Sequence, residues 1–233
     1  PPHRSILRLD RLTCALPPSP LDPASTPSTS PPVVRPDSSV RRTARIVGVL
    51  FLAGFLAYGV GNLIATGIVR SDDRSSSTAL FVTGAALMLL NSAFVIGIGV
   101  LMLPILRPHN KDIAAGYLGT RIFEGVVLAV GVVSLIVLTG SHAKDANAVF
   151  YNIPEPGLGI GSLFFCALLL RTGLVPRLLA VWGFIGYACF AGGNLLDLFG
   201  VAGAGLVGAI PGGLFELTFG IWLIARGFAS TAG

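Results

Sequence analysis

Charge is what this sequence has least of. Only 12% of its 233 residues are charged, against about 25% in an ordinary water-soluble domain. So few charges cannot cover a water-facing surface, which excludes a soluble globular class. Cysteine is also scarce. Cys14, Cys166 and Cys189 are odd in number and show no CxxC or Cys/His spacing. That argues against a disulfide framework or a zinc site and leaves small apolar thiols. Histidine is limited to His3, His109 and His142, none at metal-ligand spacing from another. The HExxH, GxSxG and paired-acid signatures of soluble hydrolases are missing. The run GLGIGS at residues 157–162 superficially resembles a phosphate loop, but no strand precedes it and no lysine follows at the right place. No metal and no cofactor is expected.

What the chain does have is apolar length. Hydrophobic residues make up 53% of it, and the mean hydropathy is +0.79. Glycine is plentiful, at 30 residues, which suits close helix packing in lipid. The formal net charge of +5 could suggest nucleic acid. The basic residues lie instead in short segments between apolar runs, which is a membrane-orientation pattern, so no nucleic-acid partner is expected.

Ten of the sixteen prolines fall within residues 1–40. That tail has no apolar periodicity and cannot bury a core, so it is expected to be disordered. Arg4, Arg8 and Arg11 are followed by no sustained apolar stretch, so the tail does not read as a signal peptide. It also lacks an initiator methionine, and one expectation is a start site assigned too early, with the true one near Val33, Val34 or Val40. A membrane domain is expected over 41–228, with a short tail over 229–233.

Six apolar runs follow the tail. They are Ile46–Val69, Thr78–Leu106, Ile113–Gly140, a short one from Leu158 to Leu170 reaching back toward Tyr151, Leu178–Phe199, and Leu206–Ile224. Each must be a helix, because lipid offers backbone groups no outside partner. A β-barrel would alternate in polarity, and these runs do not. The segment SHAKDANAVFYNIPEPG reads as a long connection before the fourth run. The fold class is therefore all-α, a polytopic integral membrane bundle of six transmembrane helices with a disordered N-terminal tail.

Arg41, Arg42, Arg45, Arg107, Lys111, Arg171, Arg177 and Arg226 fall on one side of this arrangement; Arg70, Arg74 and Lys144 fall on the other. The richer side is expected to be cytoplasmic, with both termini there.

Charges inside the runs stand out against this background. Arg121 and Glu124 lie in the first turns of the third, at i,i+3 spacing on one face. If that helix enters lipid near Tyr117, they lie about 6 and 10 Å deep. Glu216 lies about 15 Å from the same surface on the sixth. The three can meet if those helices touch. Asn91 should sit near the midplane. Asn62, Asn194 and Asp197 form a second tier toward the other side, and Tyr58, Asn62 and Thr66 share one face of the first helix. Gly212, Glu216 and Gly220 share a small-residue face of the sixth, which aims Glu216 into the bundle.

Two readings attach to each polar group. Arg121 with Glu124 reads as a structural clamp, and asparagines commonly join helices. Glu216, a carboxyl in mid-membrane, also reads as a proton carrier.

Three segments carry a resemblance. RPHNKDIAAGYLGTRIFEGVVLAVG, LLLRTGLVPRLLAVWGFIGY and IPGGLFELTFGIWLIARGF resemble the bacterial membrane family catalogued as domain of unknown function 4386. The matching positions are Arg121 and Glu124, Gly173 to Arg177, and Leu214 to Ile224 with Glu216. The resemblance covers about residues 41–228 and implies a six-helix inner-membrane protein. It brings no established reaction.

The expected function is non-enzymatic. In this reading Arg121, Glu124, Glu216, Asn91, Asn62, Asn194 and Asp197 form a polar interior that moves or senses a small solute or proton. A membrane enzyme acting on lipid is one alternative, and a structural or partner-binding subunit is another. The lipid bilayer is the expected partner; the sequence fixes no oligomeric state.

Overall fold

The computed structural model describes residues 38–71 and 77–229. Residues 1–37 of the expected disordered tail, and Arg74 in the first loop, lie outside them, while residues 38–40 of that tail are helical. Within the described residues the chain forms helices α1 (Ser38–Ser71), α2 (Thr78–Leu106), α3 (Lys111–Val137), α4 (Gly140–Asn152), α5 (Glu155–Thr172), α6 (Arg177–Leu198) and α7 (Ala204–Ala225). No strand occurs among them. Six helical segments are long and apolar enough to cross a bilayer, α4 and α5 together making the fourth, Gly140–Thr172. The chain is thus an all-α, polytopic membrane bundle, and many large apolar side chains on its outside, such as Leu56, Leu63 and Phe164, stay exposed for lipid to cover.

The fourth crossing differs from its sequence reading. The stretch read as a connection is largely helix: α4 takes up Gly140–Asn152. Its polar residues His142, Lys144 and Asp145 lower its hydropathy, but they all lie on the exposed side. Ala143 and Asn147, at i,i+4, are buried. A Cβ placed on Gly131 of α3 would come within 3.0 Å of Phe150 and 3.2 Å of Asn147 on α4, so the two helices run closely side by side. The first helix is also longer than its apolar run. It begins at Ser38, and Ala44 and Val47 in its opening turns are fully buried.

Pro154 and Pro156 sit at the junction of α4 and α5. Neither has an N–H, so the carbonyls of Phe150 and Asn152 lose their helical donors and the segment bends. The bend lies deep in the bundle. Asn147 stands opposite Gly131, while Gly161 stands opposite Thr120 of the same helix. Glu155, between them in sequence, therefore comes level with the Glu124–Leu128 part of α3.

Local chemistry sets the other ends. The Asn110 side chain caps α3, accepting from the backbone N–H groups of Asp112 at 3.0 Å and Ile113 at 2.9 Å. Gly173 closes α5 with φ +67°, a left-handed conformation that a side chain would strain. Small residues bring the helix backbones together. A Cβ on Gly61 of α1 would lie 2.7 Å from the Gly84 carbonyl of α2, and one on Gly186 of α6 would lie 2.9 Å from the Pro211 carbonyl of α7. The C-terminal end of α7 returns beside the start of α1, where Gly227 faces Arg41 and Ala44. Beyond it Phe228 is buried and the Ala229 N–H donates to the Leu174 carbonyl at 2.9 Å, so the expected tail is held at its first residue. Residues 230–233 lie outside the described set.

Candidate functional site

Arg121 stands about 15 Å along α3 from Lys111, with only 2% of it exposed. Room for its stem comes from α2: a Cβ on Gly99 would lie 2.8 Å from the Cβ of Arg121. Little of the guanidinium is exposed, and each of its three nitrogens is hydrogen-bonded to a protein group. Nε donates to the Tyr117 hydroxyl at 3.1 Å, one turn back on the same helix. Nη1 donates to Glu124 Oε2 at 3.1 Å. Nη2 reaches across to Glu216 Oε1 on α7 at 3.4 Å. The same Glu216 oxygen accepts a short hydrogen bond from the Tyr187 hydroxyl on α6. The guanidinium carbon also lies over the rings of Tyr117 at 5.2 Å and Phe51 at 5.5 Å. Charge and ring quadrupole act together here, with water largely excluded.

Five aromatic rings surround this arrangement. Tyr117 stacks on Phe165, Phe165 meets Phe219 edge-on, and Phe219 stacks on Phe215. Phe215 in turn meets Tyr187. The polar knot is therefore built into the main apolar core and fixes α3, α6 and α7 relative to one another.

A cavity of about 140 Å³ adjoins it. Arg121 and Glu124 form part of its wall, with Asn91 of α2, Tyr58 of α1, and Tyr151 and Glu155 from the bend of the fourth crossing. Asn91 is buried and its amide lies beside Gly54 of α1. Tyr58 and Tyr151 stack with ring centroids 5.3 Å apart.

The remaining residues expected at the site lie elsewhere. Asn62 is partly buried on α1, and the Thr66 hydroxyl of its stripe donates locally to the Asn62 carbonyl at 2.6 Å. Asn194 donates to the Phe190 carbonyl of its own helix at 2.8 Å. Asp197 is exposed at the α6–α7 corner and accepts the Gly205 N–H at 2.8 Å. These two line a second cavity of about 160 Å³, which shares Tyr151 and Glu155 with the first. A third, of about 670 Å³, opens at the corner itself and shares Asn152, Asn194 and Asp197 with the second.

Glu155 is the residue that sequence reasoning missed. A signal was present: an acid between two prolines, at the head of an apolar run. Although the sequence reading lets the fourth run reach back toward Tyr151, the prolines make the stretch look like a connection, which leaves its acid aside. Tyr117, Tyr151 and Tyr187 were also passed over, because a tyrosine in an apolar run looks like core until its hydroxyl has a partner, as in Tyr117 and Tyr187, or its ring lines a cavity, as in Tyr151. Between α3 and α5 there is a separate groove of about 460 Å³, lined by apolar groups with Tyr117, Thr120 and Asp112, and none of the buried acids reaches it. No group of three metal-ligating side chains occurs among the described residues.

Neither a curated protein nor a solved structure matches the chain. A family model described as "Domain of unknown function (DUF4386)" matches residues 46–227. That stretch carries Arg121, Glu124, Glu155 and Glu216 and nearly all of the six membrane-crossing segments, and the chain belongs to this family of unknown function.

Proposed function

We propose that this is a non-enzymatic protein of a bacterial cytoplasmic membrane, with both termini cytoplasmic, whose polar interior moves or senses a small solute or proton. The observation that carries the reading is the hold on Arg121. One buried guanidinium is shared by two carboxylates from different helices, beside a cavity lined by further polar groups. Intramembrane ionisable groups that face a cavity mark ion and solute pathways. Glu216 is the less enclosed of the two carboxylates, its side chain 17% exposed against 9% for Glu124. It is the better candidate to exchange a proton. Arg121 is its counter-ion and links it to the cavity, which Arg121 lines together with Glu124 and Asn91.

Support for the orientation comes from the basic residues that the sequence places at the ends of the crossings on the side where α1 begins and α7 ends. Chemistry on lipid is less favoured. The lateral groove that could take an acyl chain is apolar, and neither Glu124 nor Glu216 lines it. A purely structural clamp draws on one observation, that all three guanidinium nitrogens of Arg121 already have protein partners.

Purified protein in liposomes with an entrapped pH dye tests the proposal, with Trp222 fluorescence on the Glu216 helix as a second readout. Dissipation of a pH gradient faster than in empty liposomes, or a pH-dependent Trp222 signal, is expected. Glu216→Gln should abolish it without altering the melting transition. If wild type and Glu216→Gln agree in both readouts, the clamp alone remains.

A further inference from the structure

The cluster on Arg121 leaves one buried acid unused. Glu155 is 4% exposed, and among the described residues no hydrogen bond or ion pair ends on its carboxylate. Its buried position gives it only the cavities to face: it lines both the 140 Å³ cavity and the 160 Å³ one. An isolated carboxylate out of water is too costly to stay both ionised and alone. It carries a proton or it faces a cation.

The surroundings favour a cation. Phe51, Phe55, Tyr58, Phe94 and Tyr151 wall the inner cavity, and ring faces attract positive charge. The acids there are Glu124 and Glu155. The one basic group, Arg121, is already matched by Glu124 and Glu216. An anion would meet an unmatched carboxylate. The cavity, at about 140 Å³, is well below the roughly 300–1,000 Å³ of sites for drug-sized molecules, which suits a compact headgroup. Its approach is acidic as well. Tyr151 and Glu155 separate it from the second cavity, and Asp197 lines both that one and the wide cavity at the α6–α7 corner.

We propose that Glu155, walled by Tyr58 and Tyr151, is the carboxylate of a binding site for a small organic ammonium ion that arrives through the α6–α7 corner. This rests on the reading above that the polar interior handles a solute, and it names the solute's class.

The test is calorimetric titration of the full chain in lipid nanodiscs with tetramethylammonium chloride, against sodium chloride at equal ionic strength. Saturable binding of tetramethylammonium over sodium is expected. Glu155→Gln should weaken it at least tenfold and Tyr58→Leu several-fold, each with its melting transition retained. No preference over sodium in folded wild type overturns the proposal. So does unchanged affinity in Glu155→Gln, or, should that variant fail to fold, in Tyr58→Leu. Gradient dissipation that depends on Glu216 but comes without tetramethylammonium binding sinks this inference and leaves the broader function standing. Binding without any Glu216-dependent readout upholds this site and takes Glu216 out of the handling of the solute.

Discussion

Replacing Arg121 by methionine removes the centre of the buried cluster while keeping much of its length. Two carboxylates, with side chains 9% and 17% exposed, would then share a water-poor interior with no counter-ion. The Tyr117 hydroxyl would lose its donor, and Phe51 and Tyr117 would lose the cation over their rings. Breaking a buried pair by removing one partner costs about 3–5 kcal/mol, because the other charge is left uncompensated. Part of that cost is avoided if Glu216 takes up a proton and keeps its bond from Tyr187, so the lower end, about 3 kcal/mol, is expected here. Reversible unfolding in mixed lipid–detergent micelles measures it.

The triple change Arg121→Met, Glu124→Met, Glu216→Leu provides the internal control. It removes every charge together, and buried ion clusters replaced by apolar groups of similar size are often neutral or more stable. Arg121→Met should therefore be far less stable than the triple variant. A loss below about 1 kcal/mol for Arg121→Met, the size of a solvent-exposed pair, would refute the claim that the cluster is held out of water.

Three further outcomes are expected. Gly61→Leu should destabilise by about 1–3 kcal/mol in the same unfolding assay, since a Cβ there meets the Gly84 carbonyl at 2.7 Å and backbone cannot give way as a side chain can. Asn110→Ala should cost about 1 kcal/mol, because two backbone N–H groups at the start of α3 lose their acceptor; hydrogen exchange of Asp112 and Ile113 should quicken selectively. Reporter fusions at residue 40 and at residue 229 should give the same cytoplasmic signal, and a fusion in the 139–141 turn the opposite one.

The helices were legible because lipid forces the matter: a long apolar run has no other way to satisfy its backbone. The second run, Thr78–Leu106, coincides with α2. The third, fifth and sixth match α3, α6 and α7 to within a few residues. Arg121 and Glu124 were legible as a pair because their i,i+3 spacing is a property of one helix. Their meeting with Glu216 needed a depth count on two helices, which the 1.5 Å rise supplies. The fourth crossing was obscure for a physical reason. Hydropathy averages over both faces of a helix, and α4 keeps His142, Lys144 and Asp145 on one face while burying Ala143 and Asn147 on the other. Asn62, Asn194 and Asp197 mark the opposite limit. Their depth could be counted, but whether a side chain bonds its own helix or a neighbour depends on rotamers that spacing does not carry.

The bend at Pro154 connects these points. A straight fourth helix of ordinary composition would place a sealed apolar surface against α1 and α3. The two prolines instead free carbonyls in mid-membrane and turn Glu155 inward, where it meets the cavity beside Arg121. Irregular backbone at that depth is tolerated where it lines a cavity or is buried in protein, so the bend and the cavity sustain each other. On this view Pro154→Ala together with Pro156→Ala should straighten the crossing and draw Glu155 away from the two cavities it lines. The double variant should keep roughly wild-type stability, since Pro154 and Pro156 stand at the cap and in the first turn of α5, where proline is tolerated. It should nonetheless lose the tetramethylammonium affinity that depends on Glu155. A double variant that folds and still binds would separate the bend from the site and leave the prolines without a functional role.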